Sequence, residues 1–186
     1  MTSKNSSSRL SSDRVYEGKV VKVDVDAVKA PDGSELRLEI VRHPGAAAVV
    51  PLLSDPGAHD PSILLIRQYR YAAGGVIWEI PAGVLEPGET PVECARRELL
   101  EEVGATAQEL SHLTTIYTTP GFTDEQIHLF LATGISVGAT QHERDEFIEV
   151  EARPISSVLA MIRDGSIVDS KSIAALLFTA GFRLGL

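Results

Sequence analysis

The chain has 186 residues, 44% hydrophobic and 23% charged, which suits one globular domain with a real core and excludes a disordered or fibrous protein. Its net charge of -9 is a poor match to long nucleic acid, whose binding rewards basic patches, and no run approaches the roughly 18 apolar residues that a membrane span needs. The single cysteine, Cys94, rules out an intrachain disulfide, and the polar start from Met1 to Ser12 lacks a signal-peptide core, so a soluble, cytoplasmic protein is expected.

In chain order, residues 1–13 are serine-rich and polar and predict a disordered tail. Residues 14–45 form a β-rich segment. Tyr16, Val20, Val21, Val23, Val25 and Val28 alternate with charged residues, and the turn chemistry of Pro31-Asp32-Gly33 precedes Leu36, Leu38, Ile40 and Val41, which predicts an antiparallel hairpin. Residues 46–186 make the main domain. Ala46 to Leu53 is an apolar run of strand length, Ser54 to Ser62 a loop, Ile63 to Tyr71 a strand, and Ile77 to Ile80 a short strand stopped by Pro81.

Thr90 to Val103 is the best helix. Thr90 is the N-cap, Pro91 occupies the first turn, Glu93 completes a capping box, and Gly104 supplies the stop. Leu113 to Thr118, Gln126 to Thr133 and Glu146 to Ala152 read as strands. Ile155 to Arg163 and Lys171 to Arg183 read as helices, the second capped by Asp169-Ser170. Runs of strands outnumber the helices, so the class is α+β with helices on mixed sheets.

Chemistry concentrates in Gly83 to Ala105, GVLEPGETPVECARRELLEEVGA. Glu98, Glu101 and Glu102 lie at i, i+3 and i+4, so their carboxylates share a helix face and repel one another. Arg97 can pair with Glu101, and a hard divalent cation would relieve the repulsion further. The bland alternative is a solvated acidic face. Against it stands a longer pattern: glycine, five residues, glutamate, seven residues, Arg-Glu, an aliphatic, any residue, Glu-Glu, any residue, glycine, an aliphatic. Gly83, Glu89, Arg97, Glu98, Leu99, Glu101, Glu102, Gly104 and Ala105 fill it, with Ala105 smaller than usual at the last position. This stretch resembles the Nudix box.

That resemblance implies an α/β/α sandwich with a mixed sheet, preceded by an N-terminal antiparallel hairpin or sheet. It implies metal-dependent attack by water on a phosphorus of a nucleoside diphosphate derivative. The metal would be Mg²⁺, with Mn²⁺ as the alternative, held by Glu98, Glu102, the backbone carbonyl of Ala82, and Glu101 as a further or outer ligand. Arg97 would orient the glutamates, Glu89 would pin the preceding loop to the helix, and Gly83 and Gly104 would be structural.

Beyond the box, Gln68-Tyr69-Arg70-Tyr71, Trp78-Glu79-Ile80-Pro81-Ala82-Gly83, a proline at 120 and the tail Gly165 to Lys171 resemble the ADP-ribose pyrophosphatase branch. On the substrate side this singles out Arg70 for a phosphate, Tyr16 and Phe122 for stacking on adenine, and Trp78, Glu79, Pro120, Gly121 and Glu125 as further contacts. Taken alone, Trp78 reads more readily as core and Pro120-Gly121 as a turn. The general base in this branch usually comes from a late loop. In Gln141 to Glu146 both Glu143 and Glu146 qualify, with Glu143 as the base and Glu146 nearer the metal. The branch also implies a homodimer built through the N-terminal sheet. Two other readings stand beside ADP-ribose hydrolysis: another nucleotide sugar such as GDP-mannose, and a non-catalytic nucleotide sensor, against which the three intact glutamates argue.

Overall fold

The computed structural model describes residues 8–138 and 148–186, and its chain divides into two compact units. Of the described residues, the first unit holds 8–44 and 117–126. Its core is an antiparallel sheet in the order β1-β2-β3, from β1 (Ser8–Glu17), β2 (Lys22–Lys29) and β3 (Glu35–Arg42). The β2–β3 turn is the predicted one. Gly33 takes φ +87, its N–H donates to the Ala30 carbonyl at 2.9 Å, and the Asp32 carboxylate accepts from the Ser34 N–H at 2.9 Å.

The first strand corrects the expectation of a tail through residue 13. Every residue of β1 is exposed, yet its backbone pairs with β2 from Ser8↔Lys29 to Glu17↔Lys22. Hydrophobic patterning cannot find a strand that gains its place from ladder hydrogen bonds without burying a face.

Charge also holds this unit together. The Arg42 guanidinium contacts Asp24 at 2.9 Å, Asp124 at 3.1 Å, and Asp26, while Arg14 takes the other oxygen of Asp24. Arg14 and Arg42 together pull the Asp24 carboxyl down to about 2, because both hydrogen-bond its ionised form. The 117–126 segment is stitched to the end of β3: the Val41 N–H donates to the Phe122 carbonyl at 2.7 Å and the His43 N–H to Asp124 at 2.9 Å.

Of the described residues, the second unit holds 45–116, 127–138 and 148–186. One sheet runs β10-β5-β6, from β10 (Ile148–Pro154), β5 (Ser62–Arg70) and β6 (Gly75–Glu79). The other runs β7-β4-β9-β8, from β7 (Ala82–Val84), β4 (Ala46–Pro51), β9 (Gln126–Val137) and β8 (Ala105–Tyr117). β4 pairs parallel with β9 and antiparallel with β7, so this sheet is mixed.

The alternation of side chains along β4 explains its unbroken apolar run. Ala46, Ala48 and Val50 face a core shared with α2 (Ile155–Arg163) and α3 (Ser170–Thr179). Ala47 and Val49 face a second core under α1 (Pro91–Val103), made by Cys94, Ala95, Leu99 and Val103. Helices therefore cover both faces, as the predicted α/β/α sandwich requires. Helix α2 has the predicted bounds, and α3 passes into a π-helical turn over Ala180–Leu184. Among the described residues no helix is long and apolar enough to cross a membrane.

Candidate active site

Helix α1 starts and stops where its sequence dictates. The Glu93 carboxylate accepts from the Thr90 N–H at 2.8 Å and from the Thr90 hydroxyl at 2.5 Å. Gly104 closes the helix at φ +65, with its N–H donating to the Leu100 carbonyl at 2.9 Å. The buried stripe of α1 then breaks the usual rule. Interleaved with Cys94, Ala95, Leu99 and Val103 are Glu98 and Glu102, both buried, Glu102 to 2% exposure. Burying two like-charged carboxylates one turn apart is costly unless other groups hold them.

The backbone at Ala82 and Gly83 of β7 receives both. The Ala82 N–H donates to Glu102 Oε2 at 2.9 Å. The Glu98 carboxyl lies against the α-carbon of Gly83, so close that a β-carbon there would overlap it; even the farther oxygen, Oε2, would stand only 2.8 Å away. Gly83 does not adopt a positive φ. Its requirement is the missing side chain, which lets the Glu98 carboxyl approach the backbone.

Arg97 organises the remaining carboxylates. Its Nε donates to Glu89 Oε1 at 2.8 Å and its Nη2 to Glu89 Oε2 at 3.0 Å, a bidentate pair that ties the loop before α1 to the helix. Its Nη1 reaches Glu98 at 2.5 Å and Glu101 at 3.0 Å, and Nη2 also donates to the Val84 carbonyl at 3.1 Å. The guanidinium holds the Glu89 carboxyl down at about 2. Burial pushes the Cys94 thiol up to about 12, so this cysteine packs as a small apolar residue with no thiolate character. Arg97 thus touches all of Glu89, Glu98 and Glu101. Glu101 is the more exposed glutamate of the three.

Among the described residues no group of three or more His, Cys, Asp and Glu side chains already surrounds one point. The donor set nevertheless fits a hard divalent cation: two buried carboxylates one turn apart meet the adjacent backbone units Ala82 and Gly83, and the missing side chain of Gly83 is what admits the Glu98 carboxyl.

The substrate-side candidates fall in both units. In the second, Arg70 gives Nε and Nη2 to the two oxygens of Glu79 at 2.7 and 3.0 Å, which leaves Nη1 over among the described residues. The charge on Arg70 is reinforced first by Glu79 and then by Glu102 and Asp169. Trp78 is half-buried against the α2–α3 core, and Arg67 and Arg153 place guanidinium carbons 5.4 and 5.3 Å from its ring centroid. In the first unit, Tyr16 and Phe122 are exposed, and Pro120-Gly121 lies in a turn where the Phe122 N–H donates to the Thr119 carbonyl at 3.2 Å. Glu125 accepts from the Thr118 hydroxyl at 2.9 Å. Glu143 and Glu146 lie outside the described residues.

Sequence reasoning missed Lys171. It is 9% exposed and contacts Glu79 directly and Asp169 at 2.9 Å. The signal was available: a lysine in the first turn of an apolar helix opposes the helix dipole and needs a buried anion.

The NUDIX domain family matches residues 42–176. The chain is 39% identical over 169 residues to an ADP-ribose pyrophosphatase of Bacillus subtilis (strain 168), covering 90% of this chain and 89% of that protein. It is 38% identical over 169 residues to a methanol dehydrogenase activator of Bacillus methanolicus, with 90% and 89% covered. A GDP-mannose pyrophosphatase of Yersinia enterocolitica is 34% identical over 167 residues, with 85% of each chain covered. The crystal structure of an ADP compounds hydrolase shares the fold, with a TM-score of 0.81 and 20% identity over 100% of this chain and 98% of that one. With the box residues gathered about Gly83 and Arg97 and the family match spanning most of the chain, this protein belongs to the Nudix family.

Proposed function

We propose that the chain is a cytoplasmic, Mg²⁺-dependent pyrophosphohydrolase that converts ADP-ribose to AMP and ribose 5-phosphate. The observation that carries the reading is the placement of Glu98 and Glu102, buried and turned onto the backbone of Ala82 and Gly83 with Arg97 alongside. A mere solvated acidic face would not bury them. In the similar proteins the names ADP-ribose pyrophosphatase and GDP-mannose pyrophosphatase both occur, and the former belongs to the more similar relative reported above.

Glu98, Glu102 and the Ala82 carbonyl would hold the metal, with Glu101 as an outer ligand; bound there, the ion polarises the phosphoryl oxygens and lowers the pKa of water. Arg97 keeps the carboxylates aimed. Arg70 offers its guanidinium to a phosphate, and Tyr16 and Phe122 offer rings to adenine. Phosphate release measured with ADP-ribose, other ADP-sugars, GDP-mannose and nucleoside triphosphates, with Mg²⁺ and with chelator, tests this. Turnover led by ADP-ribose and abolished by chelator is expected. A lead for GDP-mannose would replace the substrate and keep the chemistry, and no turnover on any compound would sink the enzyme reading.

Glu143 is proposed as the general base, with Glu146 nearer the metal. The Glu143→Gln variant should lose turnover by about two to four orders of magnitude, the range for removing a general base, while its metal affinity stays close to that of the parent. Turnover near normal would remove Glu143 from the mechanism.

The working form is proposed to be a homodimer assembled through the N-terminal sheet. Its outer strands β1 and β3 are edges, and Leu10, Val15, Tyr16, Leu36 and Leu38 are exposed on them. Sedimentation equilibrium should give twice the chain mass; a monomer would contradict the assembly.

A further inference from the structure

The sequence motif at the start of α3 has a structural partner that the reaction outlined above does not use. Asp169 caps the helix, accepting from the Ser172 N–H at 3.0 Å and the Ser172 hydroxyl at 2.6 Å. Ser172, fully buried, in turn accepts from the Ile80 N–H at 2.9 Å. The first turn of α3 thus grips the chain just after β6, where Glu79 ends the strand. Lys171 lies in the same turn, bonded to Glu79 Oε2 and to Asp169.

Glu79 is 2% exposed, and among the described residues two cations hold it, Arg70 and Lys171. A carboxylate so deeply buried is costly unless its charge is met, and removing one partner of a buried ion pair leaves the other to carry the whole demand. Arg70, by contrast, is still 42% exposed at its side chain.

We propose that Lys171 is a positioning residue for substrate binding: by sharing Glu79 and anchoring it to α3, it fixes Arg70 in its bidentate pose and leaves part of the guanidinium's charge for the substrate's pyrophosphate. The proposal rests on the reading of Arg70 as the phosphate contact. Without Lys171, Glu79 would draw fully on Arg70, and the anion would find a neutralised pair.

Steady-state kinetics on ADP-ribose and thermal melts of the full chain test it with Lys171→Met, Lys171→Arg, Arg70→Ala and the Arg70→Ala/Lys171→Met pair. The expected result is a KM raised about tenfold or more in Lys171→Met with kcat held within about threefold, the mark of lost binding that is uniform between ground and transition states. Lys171→Arg should recover most of that KM, since it restores the cation. The double variant should be no worse than Arg70→Ala, because both changes act through one guanidinium. Should Lys171→Met fail to fold, Lys171→Gln, which keeps a hydrogen-bond donor, is read the same way.

An unchanged KM, a fully additive double variant, or a kcat that falls with the melting temperature while KM holds would overturn the proposal. If Arg70→Ala raises KM and Lys171→Met does not, the positioning role alone fails. If Arg70→Ala itself leaves KM unchanged, the phosphate role of Arg70 fails first and the proposal falls with it.

Discussion

Replacing Gly83 with alanine is expected to lower turnover by about a hundredfold or more, some 3 kcal/mol of transition-state stabilisation, and to destabilise the protein by about 1–3 kcal/mol, the range for overpacking a filled site. The usual sign is the opposite. At an ordinary φ, glycine to alanine stabilises by about 0.4–1 kcal/mol through the unfolded chain, and Gly83 has no positive φ to forbid the change. Sterics reverse the sign here. The new β-carbon would occupy the space of the Glu98 carboxyl, and that carboxyl cannot swing aside without giving up Arg97. Thermal unfolding and kcat measured side by side check the prediction, and a second substitution sharpens it. Adding Glu98→Ala to Gly83→Ala removes the overlapping group, so stability should recover while turnover stays lost. Normal turnover in Gly83→Ala would mean that Glu98 does not rest on β7 in the working enzyme.

What could be read from the sequence, and what could not, follows from how each element is stabilised. Helix α1 announced itself because its local signals agree: Thr90, Pro91, Glu93 and Gly104 each act on neighbours a few residues away. The β4 run was legible because burial on both faces leaves an unbroken apolar string from Ala46. Strand β1 was not, since Ser8 to Asp13 bury nothing and owe their conformation to partners in β2. Strand β7 was missed for a related reason: Ala82–Val84 is three residues long, and its identity comes from pairing with Ala46 to Ala48.

The site divides the same way. The glutamate face, Arg97 and Glu89 lie within one contiguous stretch, so their spacing carries the geometry. Lys171 meets Glu79 across 92 residues, and Arg42 meets Asp124 across 82; no local pattern encodes either pair. The role of Gly83 was legible in identity but not in cause, because only the folded helix brings the Glu98 carboxyl onto it.

The Glu102→Gln variant should leave a folded protein and remove its chemistry. Glu102 is buried and takes the Ala82 N–H at 2.9 Å through one oxygen. A glutamine has the same shape and can offer its carbonyl oxygen to that N–H, so the tie between α1 and β7 survives. What disappears is the negative charge that a hard cation needs, along with some repulsion toward Glu98 one turn away. Turnover should fall by about a thousandfold, near 4 kcal/mol, and the melting temperature in chelator should stay level or rise. The parent protein should melt higher as Mg²⁺ is added, because a ligand that binds only the folded state stabilises it by mass action. Glu102→Gln should lose that increment. Glu101→Gln makes the comparison decisive: Glu101 is 40% exposed at its side chain and bonded to Arg97, so its loss should cost about tenfold to a hundredfold, as for groups that orient metal ligands. If Glu102→Gln kept both its turnover and its Mg²⁺-dependent rise in melting temperature, the buried carboxylate would be a structural tie between α1 and β7, and the metal would have to be held elsewhere.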